Sequence, residues 1–489
     1  MVRFAYIILL IFGSLPLPCL AMSVTLQDVI DMARRQSVDA AVALDELRSA
    51  YWEYRTYRAE LLPEVNFDAK FPGYYKQYSP YQLDDGSYTF VRNNYMQMNG
   101  EITVAQNIWL TGGTLSLTSS ADFVRQLDGN RHSQFMSVPV ALTLNQPIFG
   151  VNAVRWNRRI EPVRYREAQA RFLSATETVA MTAINHFFNL LMAREKVNVA
   201  RQNLANADKL YEVALAKREM GKISKNDLMQ FELNQLNAQT TLTDAESDLK
   251  SNMFRLRSFL DLDQDVELEP VVPERVPDCD VAYVDVLEKA LANNEFSYNL
   301  RRRQLEADYE VAKAKGNLRQ INLYASVGFT GTSGRFGDAY SHLKDNQVVE
   351  VGVKIPLVDW GKRRGQVKVA RSNRQVVESK LRQESMNFKQ DLFILVERFN
   401  NQQRQVAIAA KADTIAGKRY DTNVQTFMIG RISTLDLNDS QTRKDEQRQQ
   451  YINELYTYWY YYYQLRSLTL WDYAGNRSID ADFERLAKE

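Results

Sequence analysis

Two stretches of this sequence share five of their eight residues: Gly221-Lys222-Ile223-Ser224-Lys225-Asn226-Asp227-Leu228 and Gly430-Arg431-Ile432-Ser433-Thr434-Leu435-Asp436-Leu437. They begin 209 positions apart (430 minus 221). The register holds on both sides, because Tyr211 corresponds to Tyr420 and Leu256-Arg257-Ser258 corresponds to Leu465-Arg466-Ser467. A repeat of this size indicates that one supersecondary unit occurs twice in the chain.

Each stretch predicts a tight turn between two helices. Glycine accepts the left-handed conformation that often follows a helix, so Gly221 and Gly430 are predicted to end the first helix of each pair. Ser224 and Ser433 are predicted to cap the second helix, with an aspartate three residues later in place of the usual glutamate of a capping box. The two turns are therefore predicted to be the tips of helical hairpins.

The helices on either side of these tips are predicted to be long. Glycine and proline are absent from four runs, 163–220, 222–269, 366–416 and 431–474. Helices of this length are well above the globular mean of about 11–12 residues. Ala, Gln, Asn and Arg dominate the runs, which leaves a narrow apolar stripe and favours a coiled-coil wall with a large wetted face.

The first 21 residues are predicted to be a secretory signal peptide. Arg3 gives a positive start, Phe4 to Phe12 form a short apolar run, and Cys19-Leu20-Ala21 offers small residues at the cleavage site. About nine apolar residues are too few for a spanning helix, which needs about 20. Lipidation of Cys19 is the alternative interpretation. Either way, we expect an exported protein.

The balance of charge argues against a nucleic-acid-binding protein, and the cysteine count argues against a disulfide-stabilised one. Removing the signal peptide removes Arg3 from the 61 basic residues, which leaves 60 against 60 acidic residues. A balanced chain lacks the positive surface of a nucleic-acid-binding protein. Cys279 would be the one remaining cysteine, so the mature chain is predicted to contain no internal disulfide.

Segments with alternating apolar and polar residues are predicted to be strands. They cover 65–71, 138–144, 321–329 and 349–355. One apolar and one polar face over about 8–10 residues is typical of lipid-facing barrel strands, although a half-buried sheet in a soluble domain has the same pattern. The export signal favours the barrel.

The first repeat is predicted to contain an insertion. Asp28-Val29-Ile30 corresponds to Asp285-Val286-Leu287 at a spacing of 257, which is 48 more than 209. The extra residues are expected between about 73 and 137. The sequence is compatible with a long loop there, or with an extra hairpin around Gly112-Gly113.

The chain contains twice, in the same order, a helix, two strands and two long helices joined by a Gly-x-x-Ser-x-x-Asp-Leu tip. This order resembles that of the TolC-type outer-membrane efflux duct family. The resemblance covers nearly all of the mature chain. Gln146-Pro147-Ile148-Phe149 and Ile355-Pro356-Leu357-Val358, again 209 apart, resemble the entries into the long helices. The second continues as Asp359-Trp360-Gly361-Lys362-Arg363-Arg364, which resembles the strand-to-helix junction of the family, whereas Gly150-Val151-Asn152-Ala153 departs from that form.

The resemblance implies a mostly α-helical fold with a small β part. Three subunits would each give four strands to a 12-stranded outer-membrane β-barrel, and their helices would form a periplasmic tunnel. The implied partners are the other copies of a homotrimer, outer-membrane lipid, a periplasmic adaptor (membrane fusion protein) and an inner-membrane transporter. The repeats would span 22–270 and 271–474, between the signal peptide 1–21 and a C-terminal tail 475–489.

The resemblance also implies a ring of carboxylates at the second tip. In the family, aspartates at this tip line the periplasmic entrance, so Asp436 and Asp439 would bring six carboxylates together in a trimer and form a cation-selective constriction. Asp436 could instead simply cap its helix, since Asp227 has the same place in the first repeat. Asp439 corresponds to the uncharged Gln230, so the turn itself does not require its charge.

The remaining tip residues have two compatible interpretations. Arg431 could pair with an acid of a neighbouring subunit, or stay solvated like Lys222 at the same place in the first tip. The tips resemble the part of the family that contacts the adaptor, and ordinary helix-hairpin chemistry accounts for the same residues. These adaptor candidates are Gly221, Ile223, Ser224, Gly430, Ile432 and Ser433.

An aromatic cluster near the end of the last long helix contains Tyr456, Tyr458 and the run from Trp459 to Tyr463. It could form a membrane-interface belt. The repeat places it opposite the other half of the chain, so we expect it to pack inside the protein.

Patterns typical of enzymes are missing from the sequence. His132, His186 and His342 lack the spacing of metal ligands, and there is no Gly-x-Ser-x-Gly sequence or phosphate-binding glycine loop. We therefore predict no catalytic residues, no metal and no cofactor. The predicted function is a passive outer-membrane duct for efflux or type I secretion. The alternatives are a periplasmic or surface coiled-coil scaffold and a stand-alone diffusion porin.

Overall fold

The computed structural model describes residues 22–129, 131–273, 276–277, 279–318, 320–354, 358–428, 431–432 and 434–488. The predicted signal peptide lies outside these residues, and so do Gly430 and Ser433 of the second tip. Helices account for most of the described chain, as predicted.

The elements follow the predicted order. Up to residue 270 they are β1 (Met22–Val24), α1 (Leu26–Gln36), α2 (Val38–Ala59), β2 (Glu64–Gln82), β3 (Tyr88–Asn107), β4 (Thr114–Gln126), β5 (Ser133–Pro147), α3 (Ala153–Glu219), α4 (Lys225–Phe259) and β6 (Leu268–Pro270). The later elements are α5 (Tyr283–Asn293), α6 (Glu295–Gly316), β7 (Gln320–Ser333), β8 (Lys344–Lys354), α7 (Lys362–Met428), α8 (Thr434–Thr469), β9 (Trp471–Asp472), β10 (Arg477–Ser478) and α9 (Phe483–Lys488). A single 3-10 turn, Gly337–Tyr340, lies between β7 and β8.

The helices repeat with the spacing read from the sequence. Helices α3 and α7 have 67 residues each and begin 209 positions apart (362 minus 153). Helices α1 and α5 have 11 residues each and begin 257 apart (283 minus 26). Helix α3 begins earlier than the proline-free run and contains Pro162, which removes one intrahelical hydrogen bond. None of the described helices is both long and apolar enough to cross a membrane.

Six strands form one antiparallel sheet in the order β2-β3-β4-β5-β7-β8. The four predicted strands correspond to β2, β5, β7 and β8. The strand count differs from the expected four, because the insertion forms β3 and β4 between β2 and β5. The extra-hairpin interpretation is therefore the one realised, with Gly112 at a φ of 77° in the turn.

The sheet has one apolar and one polar face. Cross-strand partners lie on the same face of a sheet, and the register pairs Val65 with Val104, Leu117 with Val104 and with Leu142, and Leu142 with Val327. These five side chains therefore share a face. Exposed apolar side chains on it are Val65, Phe67, Ile102, Leu117, Leu142, Val327, Val349 and Val351. The predicted two-faced strands are confirmed.

The opposite face carries hydrogen-bonding side chains. Asn99 Nδ2 donates to Asp122 Oδ1 at 2.8 Å, and the hydroxyls of Thr143 and Ser326 are 3.1 Å apart. The register places Asp68 directly opposite Glu101 on this face. A sheet with this division presents its apolar side to a non-aqueous medium and its polar side to water.

The chain forms two compact units. One contains residues up to 48, 168–297 and 386–489, and the other contains 49–167 and 298–385. The second unit holds the six-stranded sheet. The first has a core in which Phe187, Phe399 and Tyr458 are fully buried. Tyr462 and Tyr463 are also buried there, which confirms that the aromatic cluster packs inside the protein.

An ionic cluster is buried in the first unit. Glu177 accepts hydrogen bonds from Arg34 at 2.6 Å and from Arg466 at 2.8 Å, and its side chain is 1% exposed. Arg466 also pairs with Asp472 at 3.2 Å. The cluster therefore connects α1, α3 and the end of α8 with the segment after it.

Candidate functional site: the tips of the helical hairpins

The first tip joins α3 to α4 through a turn in which backbone amides donate hydrogen bonds to the last carbonyls of α3. Gly221 has a φ of 74°, the left-handed region that favours glycine. The Gly221 amide donates to the Arg218 carbonyl at 2.9 Å, and the Lys222 amide donates to the Lys217 carbonyl at 2.8 Å. This pair of bonds is the Schellman ending of a helix. The prediction that Gly221 ends α3 is confirmed.

The start of α4 is held by a capping box. The Asp227 amide donates to Ser224 Oγ at 3.1 Å, and the Ser224 amide donates to Asp227 Oδ2 at 3.0 Å. The Ser224 hydroxyl also donates to Asp227 Oδ2 at 2.7 Å, and this bond together with that of the Ser224 amide holds the pKa of Asp227 below its usual range. The predicted capping role of Ser224 is confirmed, and Ile223 lies half-buried between it and the helix end.

The second tip repeats at least one bond of the first. The Arg431 amide donates to the Thr426 carbonyl at 3.1 Å, at positions 209 beyond the bond between Lys222 and Lys217. Arg431 is exposed and Ile432 is half-buried. Arg431 forms no ion pair with the residues that the structure describes.

The two aspartates past this tip lie on the first turns of α8. Asp436 is in the first turn and is exposed. Asp439 accepts a hydrogen bond from Arg419 Nη2 on α7 at 3.1 Å, and Arg443 Nε lies 3.7 Å from its other oxygen. Its side chain is about half exposed at 49%. The corresponding Gln230 instead donates to Asn234 on its own helix at 3.2 Å.

A layer of polar contacts ties α8 to its neighbours below the tip. Lys444 Nζ donates to Gln202 at 3.1 Å and lies 4.4 Å from the centre of the Tyr420 ring. Arg448 bridges Glu195 on α3 at 3.1 Å and Asp413 on α7 at 3.2 Å. Helix α8 is therefore held by charge pairs and amide contacts at this level, rather than by a wide apolar seam.

A cavity of about 350 Å³ lies within the same layer. Six amide side chains line it, those of Asn203, Asn206, Asn234, Asn237, Asn438 and Gln441. Asp445 also lines it and is 8% exposed. Its Oδ1 has no hydrogen-bond partner among the described residues, although Lys444 Nζ lies 3.6 Å from it. Burial raises the pKa of Asp445, an effect that nearby Lys444 and Asn203 oppose without outweighing it.

The partner of Asp439 was not predicted from the sequence. Arg419 precedes it by 20 residues, a separation that becomes a contact because α8 lies alongside α7. Opposite charges within about three helical turns on either side of a predicted hairpin tip would have indicated it. The buried Asp445 had no such signal, since it follows Lys444 in a run of charged residues that reads as a solvated surface.

A known protein family matches a large part of each half of the chain. The family described as outer membrane efflux protein matches residues 112–260 and 286–469, together more than half of the sequence. The first match runs from the β3–β4 turn to the end of α4. The second runs from α5 to the end of α8.

Solved structures with the same fold come from several bacteria. The CmeC outer membrane channel of Campylobacter jejuni matches with a TM-score of 0.66 and 15% identity, over 95% of this chain and 88% of that chain. The outer membrane protein VceC of Vibrio cholerae matches with 0.61 and 13%, over 93% and 97%. The open state of the MtrE channel of Neisseria gonorrhoeae matches with 0.58 and 14%, over 93% and 90%. No curated protein sequence matched the chain.

Proposed function

The chain belongs to the outer membrane efflux protein family, and on that premise we propose that it is the exit duct of a tripartite efflux or type I secretion system. Members of this family are outer-membrane channels rather than enzymes. The duct conducts substrates passively, from an inner-membrane transporter and a periplasmic adaptor to the outside.

The observation that carries the proposal is the open six-stranded sheet with an exposed apolar face. Val65, Leu142 and Val349 on that face are exposed in the single subunit. Lipid covers such a face, but lipid cannot satisfy the unpaired backbone groups of an edge strand. A ring of identical subunits removes every edge, and the proposed assembly is a homotrimer. A periplasmic scaffold has no use for this face.

The proposed entrance lies at the second tip. In a trimer, Asp436 and Asp439 recur three times around the axis and form the cation-selective ring. The contact of Asp439 with Arg419 supports a constriction in which each Asp439 carboxylate is partly compensated by its own subunit. Arg431 is proposed to pair with an acid of the neighbouring subunit, which agrees with its exposure.

The adaptor is proposed to dock on the hairpin tips. Gly221 and Ser224 are exposed, and Ile223 and Ile432 each offer a half-buried apolar side chain at equivalent places. The rest of the proposed set is Gly430 and Ser433. The proposed repeats 22–270 and 271–474, the signal peptide 1–21 and the tail 475–489 fit this organisation, because each repeat supplies one tip.

Planar-bilayer recording on the detergent-extracted protein tests the duct and its entrance. We expect native mass spectrometry to give a trimer, and the trimer to pass cations better than anions. Multivalent cations should block it from the tip side, and Asp439→Asn should weaken that block. Gln230→Asn is the matched control at the same place in the first repeat. A monomer without conductance contradicts the duct, and an unchanged block in Asp439→Asn removes that residue from the entrance.

The docking proposal has a separate test. A photo-crosslinking amino acid at Ile223 or Ile432 should give adducts with a periplasmic adaptor in intact cells. The same amino acid at Leu62, an exposed apolar residue in the other unit, is the control. Equal adduct yields from all three positions would contradict docking at the tips.

A further inference from the structure

The sheet of one subunit ends in two strands that each have one unpaired side. β2 pairs with β3, and β8 pairs with β7, and no other described strand pairs with either. β2 has 19 residues and β8 has 11. Both are long enough to traverse the hydrocarbon layer as tilted strands, which takes about 9–11 residues.

The hairpin formed by β3 and β4 is a full part of this sheet. β3 pairs with β2 along Glu64–Gln82 and with β4 along Thr114–Gln126, and β4 pairs with β5. The strands β2 and β5 have no direct ladder in the described chain. Removing β3 and β4 from the wall would therefore open the sheet in its middle.

The turn between β3 and β4 is anchored on both sides. Gln106 Nε2 donates to the Leu61 carbonyl at 3.0 Å, next to the end of α2. Asn152 Nδ2 donates to the Trp109 carbonyl at 2.9 Å, and the Arg158 guanidinium lies 4.2 Å from the centre of the Trp109 ring. These contacts hold the turn between the start of α3 and the end of α2.

Close packing at this turn also requires glycine. A Cβ on Gly113 would lie 2.3 Å from Gln146 Oε1 and 2.9 Å from the Asn145 carbonyl oxygen. Gln146 Nε2 donates to the Thr111 carbonyl at 3.1 Å. A loose loop outside the membrane would have no such contacts. They therefore favour a hairpin that forms part of the barrel wall.

Because the sheet has an even number of antiparallel strands, its two edge strands can pair with each other between copies. Six antiparallel strands leave β2 and β8 running in opposite directions, so β8 of one copy can continue the antiparallel ladder with β2 of the next. Their apolar side chains, such as Val65 and Val349, are on the same face of the sheet and stay on one side of the joined sheet. The occupant of each edge is therefore a second copy of this chain.

We propose that three copies of the six-stranded sheet close an 18-stranded barrel, in which β2 of each copy pairs with β8 of the next. This inference rests on the proposed trimer and extends it. With strands about 4.8 Å apart and tilted by about 40°, such a barrel is about 36 Å across between backbones, against about 24 Å for 12 strands. The exit is then about 1.5 times as wide as that of a barrel with four strands per subunit.

Cysteine cross-linking across the proposed junction tests the pairing. Cysteine replaces Asn66 or Asp68 on the polar face of β2 and, in the same chain, Val348, Glu350 or Gly352 on the polar face of β8. These six pairs scan the register between copies. Opposed residues of an antiparallel pair have Cα atoms about 4.5–5.5 Å apart, within the range of a disulfide. We expect at least one pair to give covalent dimers and trimers on oxidation.

The matched control replaces Ser120 on the polar face of β4, together with the same β8 positions. All variants carry Cys279→Ser. If the β2–β3 hairpin lay outside the wall, β4 would be the edge, and Ser120→Cys would cross-link to β8 instead. That result overturns the proposal, and so does a trimer in which none of the six β2–β8 pairs reacts.

Two measurements separate this inference from the proposed trimer. Native mass spectrometry of each reduced variant reports whether the trimer forms, so a failed cross-link is counted against the strand pairing only in a trimer. Electron cryo-microscopy of the unmodified protein counts the strands directly. Eighteen strands support the inference, and twelve strands in a trimer overturn it while leaving the proposed duct intact. A monomer in detergent contradicts both.

Discussion

Arg419 on α7 and Asp439 on α8 are joined by a hydrogen bond of 3.1 Å between Nη2 and Oδ2, just below the second hairpin tip. Arg443 approaches the same carboxylate at 3.7 Å. Two arginines of its own subunit therefore partly compensate the negative charge of Asp439 at the proposed entrance, and the electric field there depends on all three side chains.

Arg419→Gln should strengthen the block by a trivalent cation, because it removes the main counter-charge of Asp439. Exposed ion pairs are worth about 0.2–1 kcal/mol, so the blocking concentration should fall by about fivefold at most. Asp439→Asn should shift it in the opposite direction. Arg201→Gln is the control, since it breaks an exposed pair with Glu246 on α3 and α4. The idea fails if Arg419→Gln and Asp439→Asn shift the block in the same direction.

Leu142→Arg should prevent assembly in the outer membrane, whereas Thr143→Arg should be tolerated. Leu142 is on the exposed apolar face of β5, and an arginine facing lipid costs about 2–4 kcal/mol at the membrane midplane. Thr143 is on the polar face, where its hydroxyl contacts Ser326. The measurement is the amount of heat-stable oligomer in the outer-membrane fraction. If the Thr143→Arg variant failed to form the oligomer while the Leu142→Arg variant assembled normally, the assignment of the two faces would be reversed.

Glu177→Gln should destabilise the first unit strongly. The substitution leaves Arg34 and Arg466 around a neutral side chain in a buried site, and breaking a buried ion pair costs about 3–5 kcal/mol. Glu246→Gln removes a pair between exposed side chains and should cost at most about 1 kcal/mol. The midpoint of thermal unfolding, followed by circular dichroism in detergent, compares the two. Equal midpoints would show that the buried cluster adds nothing to stability.

Asp445→Asn should stabilise the protein at neutral pH and not in acid. Burial raises the folded-state pKa of Asp445 above its ordinary value of 3.8. A raised carboxyl pKa contributes stability that is present below pH 3.8 and lost as pH rises through the folded-state pKa. The asparagine variant does not ionise, so its advantage should appear only above that range. Thermal unfolding of both proteins from pH 3 to pH 8 measures this, and a constant difference across the range would contradict it.

The sequence predicted the repeated architecture because its signals are local. A glycine followed three residues later by serine and then by aspartate specifies a helix end and a cap within one turn, and Gly221 and Ser224 behave accordingly. The alternation in β2 and β5 likewise specifies which residues share a face. Neither signal depends on which segments meet in space.

The number of strands could not be predicted from the sequence, for a physical reason. Residues 73–137 contain alternating stretches, but a loop and a hairpin differ in their pairing, which is non-local. The glycines at 112 and 113 indicated a turn, and the contacts of Gln106 and Asn152 that anchor it became visible only in the structure. Glu177 was missed similarly, because its two arginines are 143 and 289 positions away in the chain.

The open edges of β2 and β8 have a consequence for biogenesis. A subunit that keeps β2 but has lost β8 can still cap the β8 edge of a normal copy, while it offers nothing to the next. One such subunit leaves the whole ring unclosed. An internal deletion of β8 that keeps α7 and α8 should therefore be dominant negative over the normal chains expressed beside it, rather than a simple loss of one gene product.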